Sequence, residues 1–230
     1  MQIIPALDVL GDEAVRLEQG DFGRVLFRRP LEEFMDRLVA TGPAIIHVVD
    51  LQGARDGALR PDVIERCRRA AKGTPLQVSG GLRSVNAARE ALNAGAARVI
   101  VGTALWRDVA TLDSFVGAFG DRLVAAIDVK DGRLAVRGWT SASPMGVGEA
   151  LERCQRAGVA RLHVTAIERD GTMRGPDLAL YEETCASGIP VVAAGGVRDD
   201  DDVDALESVG CEAAVMGVGY LARLGLSLEG

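Results

Sequence analysis

Two aspartates stand where apolar runs end. Asp8 follows Ile3-Ile4-Pro5-Ala6-Leu7, and Asp128 follows Leu123-Val124-Ala125-Ala126-Ile127. A carboxylate at the end of an apolar strand is costly unless it faces an open cavity. Each alone could be a structural carboxylate bound to loop N–H groups. Flanking one substrate, the two fit a general acid/base pair, one protonated and one ionised. No nucleophile with an adjacent base is visible, which disfavours covalent catalysis.

Glycines repeat at a fixed spacing. Ser79-Gly80-Gly81 closes one apolar run and Gly102-Thr103 the next, while Gly195-Gly196 and Gly217 do the same later; Gly80 to Gly102 and Gly195 to Gly217 each span 22 residues. Glycine lets backbone N–H groups close on a phosphate. Tight turns are the plainer reading of one such pair. Two matched pairs predict two anion sites, one at Gly80, Gly81, Gly102 and Thr103 with Arg83 beside it, the other at Gly171, Gly195, Gly196 and Gly217. The implied ligand carries a phosphate at each end. Arg137-Gly138-Trp139 lies in a predicted loop of roughly 18 residues, long enough to act as a lid. There an Arg can pair with an anion and a Trp can stack on a ring. The segment around Gly20 has the same character. His47 and His163 read as satisfied wall histidines, and the acidic run 199–202 as a solvated helix cap.

The elements that must position these groups alternate. Strands are predicted at 2–8, 44–50, 75–79, 98–101, 123–128, 161–165, 190–194 and 213–216, nearly continuous apolar runs as in parallel sheets. Helices are predicted at 31–40, 61–71, 85–94, 109–119, 148–157, 178–186 and 202–209, several ending at a glycine suited to a left-handed cap. The halves repeat: His47-Val48-Val49-Asp50 echoes His163-Val164-Thr165-Ala166 at an offset of 116, and Val78-Ser79-Gly80-Gly81 echoes Ala193-Ala194-Gly195-Gly196 at 115. An α/β fold follows, a (β/α)8 TIM barrel of two duplicated half-barrels, with residues 1–230 as a single domain. A doubly wound sheet competes, but no Gly-rich nucleotide turn follows the first strand.

Composition narrows the function. Lys and Arg number 26 against 33 Asp and Glu, a net charge of −7 that argues against a nucleic-acid binder. No apolar run reaches a membrane span, and the first residues lack the basic region of a signal peptide, so a cytoplasmic location away from membranes is expected. Four scattered cysteines and two histidines suit neither a metal site nor a disulfide framework, so no metal site is expected.

At these residues the chain resembles the phosphoribosylformimino-aminoimidazole-carboxamide ribotide isomerase family of histidine biosynthesis. The carriers include Ile4-Pro5-Ala6-Leu7-Asp8, Val15-Arg16-Leu17, Gln19-Gly20-Asp21, His47-Val48-Val49-Asp50-Leu51, Ser79-Gly80-Gly81, Arg137-Gly138-Trp139, Arg169-Asp170-Gly171-Thr172 and Ala194-Gly195-Gly196-Val197. The sister cyclase family usually has Cys where Ala6 stands. The resemblance implies an Amadori aldose–ketose isomerisation without cofactor. It makes Asp128 the general acid and Asp8 the general base. Thr165 falls near the reaction centre, Asp170 is a substrate-positioning acid, and Arg16 is a loop arginine for a long substrate. Partners would be a small ribotide with two phosphates and no macromolecule, the chain acting as a monomer. Ser79 resembles a branch that also isomerises phosphoribosylanthranilate in tryptophan synthesis. Three departures stand out: Ala166 where the family has an acid, Val218 where it has a cation, and a short or absent eighth helix. A non-catalytic barrel binding doubly phosphorylated ligands is the alternative of another class; it would need neither aspartate.

Overall fold

Runs of Val, Ile, Leu and Ala set the strands, and helices cover their outer face. The computed structural model describes residues 1–18 and 20–226. In chain order the first strands are β1 (Gln2–Leu10), β2 (Glu13–Glu18), β3 (Asp21–Pro30), β4 (Ile46–Asp50), β5 (Leu76–Ser79) and β6 (Arg98–Val101). Then come β7 (Leu123–Lys130), β8 (Arg133–Val136), β9 (Ser141–Gly146), β10 (Leu162–Ala166), β11 (Val191–Ala194) and β12 (Ala213–Met216). Eight of them run parallel in the order β1-β4-β5-β6-β7-β10-β11-β12, and β12 pairs back onto β1. The result is the predicted closed barrel.

The outer ring comprises α1 (Leu31–Ala40), α2 (Leu51–Asp56), α3 (Pro61–Ala70), α4 (Val85–Asn93), α5 (Val109–Phe119), α6 (Val147–Ala157), α7 (Leu178–Cys185), α8 (Asp200–Ser208) and α9 (Val218–Arg223). Helix α1 shows the logic: Leu31, Phe34, Met35 and Leu38 form one stripe, and all four are buried. Burial of each such side chain contributes roughly 1.5–3 kcal/mol. Helix α2 was not predicted; it is six residues long with Gly53 inside, and Asp50 caps it by accepting from the Gly53 N–H at 2.9 Å. Asp50 is also ion-paired to Arg60. The strand register repeats the duplication: Ala6 pairs with His47 as Ala126 pairs with His163, and Val78 with Val99 as Ala193 with Ala214.

Two expectations are corrected here. The stretch after Asp128 is not a loop but a hairpin. β7 turns through Asp131-Gly132, both at positive φ (50° and 70°), into β8, and β8 pairs with β9. Asp-Gly at two left-handed positions is a type I′ turn, the signal that could have revealed it. β1 likewise turns through Gly11-Asp12 into β2, which pairs with β3. Nor is the acidic run 199–202 wholly solvated. Asp199 caps α8, but Asp202 is buried and accepts from Arg198 Nε and Nη2 at 2.7 Å each. That pair fixes the turn after Gly195-Gly196. The cysteines are free thiols; Cys185 and Cys211 are hydrogen-bonded at 3.7 Å between sulfurs and form no disulfide.

Candidate active site

The hairpins explain why the aspartates face the mouth. Each sits on a barrel strand that continues beyond the barrel, Asp8 on β1 and Asp128 on β7. Asp128 is level with Thr165 on the neighbouring β10. The Thr165 hydroxyl and the Trp139 indole N–H both donate to its carboxylate. Burial raises the Asp128 pKa, and these two donors only partly offset that. Asp170 follows the short turn Ile167–Arg169. Burial and then the negative charge of Asp8 push it up to about 6, while Arg16 pulls the other way. Asp8 is ion-paired with Arg16, Nη1 to Oδ2 at 2.5 Å. One carboxylate is therefore held against a cation while burial shifts the other two upward from the usual carboxylate range. Sequence reasoning had Asp170 only as a positioning acid, because its proximity to Asp8 is not legible from spacing.

Arg16 is not on a free loop. It lies in β2, buried, and also donates to the Ala6 carbonyl oxygen. The glycine pairs are hemmed in by backbone. A Cβ on Gly80 would lie 2.2 Å from the Asp50 carbonyl oxygen, one on Gly195 2.6 Å from that of Ala166, and one on Gly196 2.4 Å from that of Gly175. Gly81 is pressed as closely against Ala58. Packing alone demands these four, so their spacing is not by itself a phosphate signature. Gly102 and Gly217 differ. A Cβ on Gly102 would point toward Asp128 Oδ2 at 3.9 Å, and one on Gly217 toward the Arg16 guanidinium carbon at 3.2 Å. At these two glycines the neighbours are side chains of the mouth, Ala126 and Asp128 for Gly102 and Arg16 for Gly217, rather than backbone.

Other expected residues are placed as follows. Ser79 ends β5, half-buried, level with Val49. The Thr103 hydroxyl accepts from the Arg137 N–H at 2.8 Å. Arg83 is exposed, its guanidinium packed over Gly57 with Ala54 O at 3.5 Å, so it reaches toward α2. Gly171 has φ 67° and its N–H donates to Asp170. Arg137, Gly138 and Trp139 all have positive φ, at 57°, 63° and 68°. Three successive left-handed residues, two of them not glycine, concentrate strain at the hairpin tip. Trp139 turns inward onto Asp128 and rests 3.6 Å from a Cβ placed on Gly20, while Arg137 is exposed. Among the described residues no group of three or more His, Cys, Asp or Glu is arranged to hold a metal ion.

His47 and His163 meet across the barrel interior, ring centroids 5.1 Å apart. They are not satisfied as expected: Nδ1 of each is buried without a partner. Burial holds both below the usual range, His163 at about 4, with Arg98 adding to the effect. An unfolded histidine takes its proton near 6.5, so between about 6.5 and about 4 the unfolded chain holds the extra proton at His163. Stability therefore falls as pH drops through that window, by about 3 kcal/mol in all. Asp170 acts oppositely, since the folded state gains a proton below about 6. Thermal melts from pH 7 to 4.5 should thus show His163→Gln losing less stability than wild type. Parallel curves for the two proteins would remove His163 as the source.

A family model described as "Histidine biosynthesis protein" matches residues 2–222. The chain belongs to that family. Relatives named 1-(5-phosphoribosyl)-5-((5-phosphoribosylamino)methylideneamino) imidazole-4-carboxamide isomerase are similar over nearly its whole length. That of Thermomicrobium roseum is 39% identical, covering 94% of this chain and 91% of the relative. That of Roseiflexus sp. is 38% identical, covering 99% and 97%. That of Listeria monocytogenes is 37% identical, covering 94% and 91%. No helix among the described residues is long and apolar enough to cross a membrane.

Proposed function

We propose that this chain is the aldose–ketose isomerase of histidine biosynthesis that its relatives are named for. It converts the ribotide aminoaldose, with a phosphoribosyl group at each end, to the aminoketose. One observation carries the catalytic reading: carboxylates from opposite half-barrels meet at one mouth in opposed environments. Asp8 is held by Arg16, while burial favours the proton on Asp128. Asp128 gives that proton to the ribose ring oxygen, opening the ring to a Schiff base. Asp8 takes the C2 proton, and the enolamine relaxes to the ketose. Thr165 orients Asp128, and Asp170 sits close enough to Asp8 to position the sugar. The phosphates occupy the turns at Gly80, Gly81, Gly102 and Thr103, with Arg83 nearby, and at Gly171, Gly195, Gly196 and Gly217. Residues 1–230 act as one barrel domain and a monomer in the cytoplasm, with the ribotide as partner.

Added action on phosphoribosylanthranilate, suggested by Ser79, is not favoured. The relatives are named for the histidine step alone, and Trp139 rather than Arg137 turns inward, offering a flat ring to the larger substrate. Assaying the purified protein on both ribotides tests this. Turnover of the doubly phosphorylated ribotide only is expected. No turnover of it would end the isomerase reading, and comparable rates on both would restore the dual one.

A further inference from the structure

Arg16 holds more donors than its contacts use. Nη1 donates to Asp8 Oδ2 at 2.5 Å and Nη2 to the Ala6 carbonyl, while Nε is buried with no partner. A buried N–H without an acceptor costs about 1–3 kcal/mol, so this position favours an acceptor when one arrives. The guanidinium lies against Gly217: a Cβ there would sit 3.2 Å from Cζ, 3.4 Å from Nη1 and 3.5 Å from Nε. With no side chain in the way, the guanidinium lies directly against the backbone of this turn. Two other arginines near this turn are already engaged, Arg198 by Asp202 and Arg223 by Asp200. At the turn itself Val218 and Gly219 bring no charge.

We propose that Arg16 is shared: it holds Asp8 when the mouth is empty and passes to the substrate phosphate at the Gly217 turn, freeing Asp8 to act as base. This rests on the reading of that turn as an anion site. A planar guanidinium can exchange a carboxylate for a tetrahedral phosphate by a small rotation, because its donors form a fork that fits either. The base would then be released only when the distal phosphate is seated. Remote binding would drive the chemical step, and loss of that phosphate would lower kcat as well as raise KM.

Sharing makes Asp8 and phosphate competitors for one cation, and the competition is reciprocal. Inorganic phosphate titrated into wild type, Asp8→Asn, Arg16→Met and the double variant measures it. Asp8→Asn should tighten the Arg16-dependent binding event by about fivefold or more. Arg16→Met should weaken it by about tenfold. In the Arg16→Met background, Asp8→Asn should bring no gain. A gain of equal size in both backgrounds would mean that Asp8 merely repels the anion through space, and the proposal fails. No gain in Asp8→Asn also overturns it. Arg16→Lys, which keeps the charge without the fork, should recover part of the phosphate affinity and serves if Arg16→Met does not fold. Turnover of the ribotide by the same wild-type preparation reads the isomerase assignment separately.

Discussion

Asp8→Asn should lower turnover by roughly 10²–10⁴-fold while leaving the fold in place and ligand binding no weaker. The amide has nearly the size of the carboxylate and its oxygen still accepts from Arg16, but it cannot take a proton from C2. Asp128→Asn should be comparably severe for the opposite reason, since an amide has no proton to give at the ring oxygen. Initial rates on the ribotide, with circular dichroism as the folding control, measure both. A folded Asp8→Asn enzyme retaining more than about a tenth of the wild-type rate would remove Asp8 from the role of base. The prediction separates chemistry from electrostatics, because Asp8→Asn is also expected to bind phosphate more tightly.

Gly80→Ala should be among the most destabilising single changes in the barrel. Its φ of 104° disfavours any side chain, and the new Cβ would lie 2.2 Å from a backbone oxygen that cannot swing away. Strain of about 1–2 kcal/mol adds to an overlap of about 1–3 kcal/mol. Gly42→Ala is the control: φ is 69°, but nothing lies within 4 Å of its Cβ, so only the strain is incurred. At about 2–4 °C per kcal/mol for a chain of this size, Gly80→Ala should melt several degrees below Gly42→Ala. Equal melting temperatures would show that the crowding at Asp50 relaxes freely. Lost activity in a glycine-pair variant therefore reads as phosphate binding only when stability has been measured beside it.

The barrel was legible because its signals are periodic. Near-continuous apolar strands, amphipathic stretches such as 31–40 and a repeat offset of 115–120 residues all describe the same units. Asp8 and Asp128 stood out because a carboxylate closing an apolar strand has few reasons to be there. What was missed lacks a period. Helix α2 is too short for a stripe, and the hairpin after Asp128 was announced only by Asp131-Gly132. The Arg16–Asp8 pair depends on how β2 folds back along β1, and spacing alone does not give it. The glycine pairs illustrate the converse: their regularity was plain, but only coordinates distinguish Gly80, crowded by backbone, from Gly217, packed against a cation.

Trp139 rests on Gly20, so the hairpin tips from the two half-barrels touch above the mouth. They form an arch one indole ring wide. The halves are also joined through the continuous sheet, which cannot part without breaking strand pairing. Below the arch, the Trp139–Asp128 hydrogen bond and the bond from the Arg137 N–H to Thr103 tie the second tip to the barrel. The indole thus spans the rim between the two halves, above strands that stay paired all the way round the barrel.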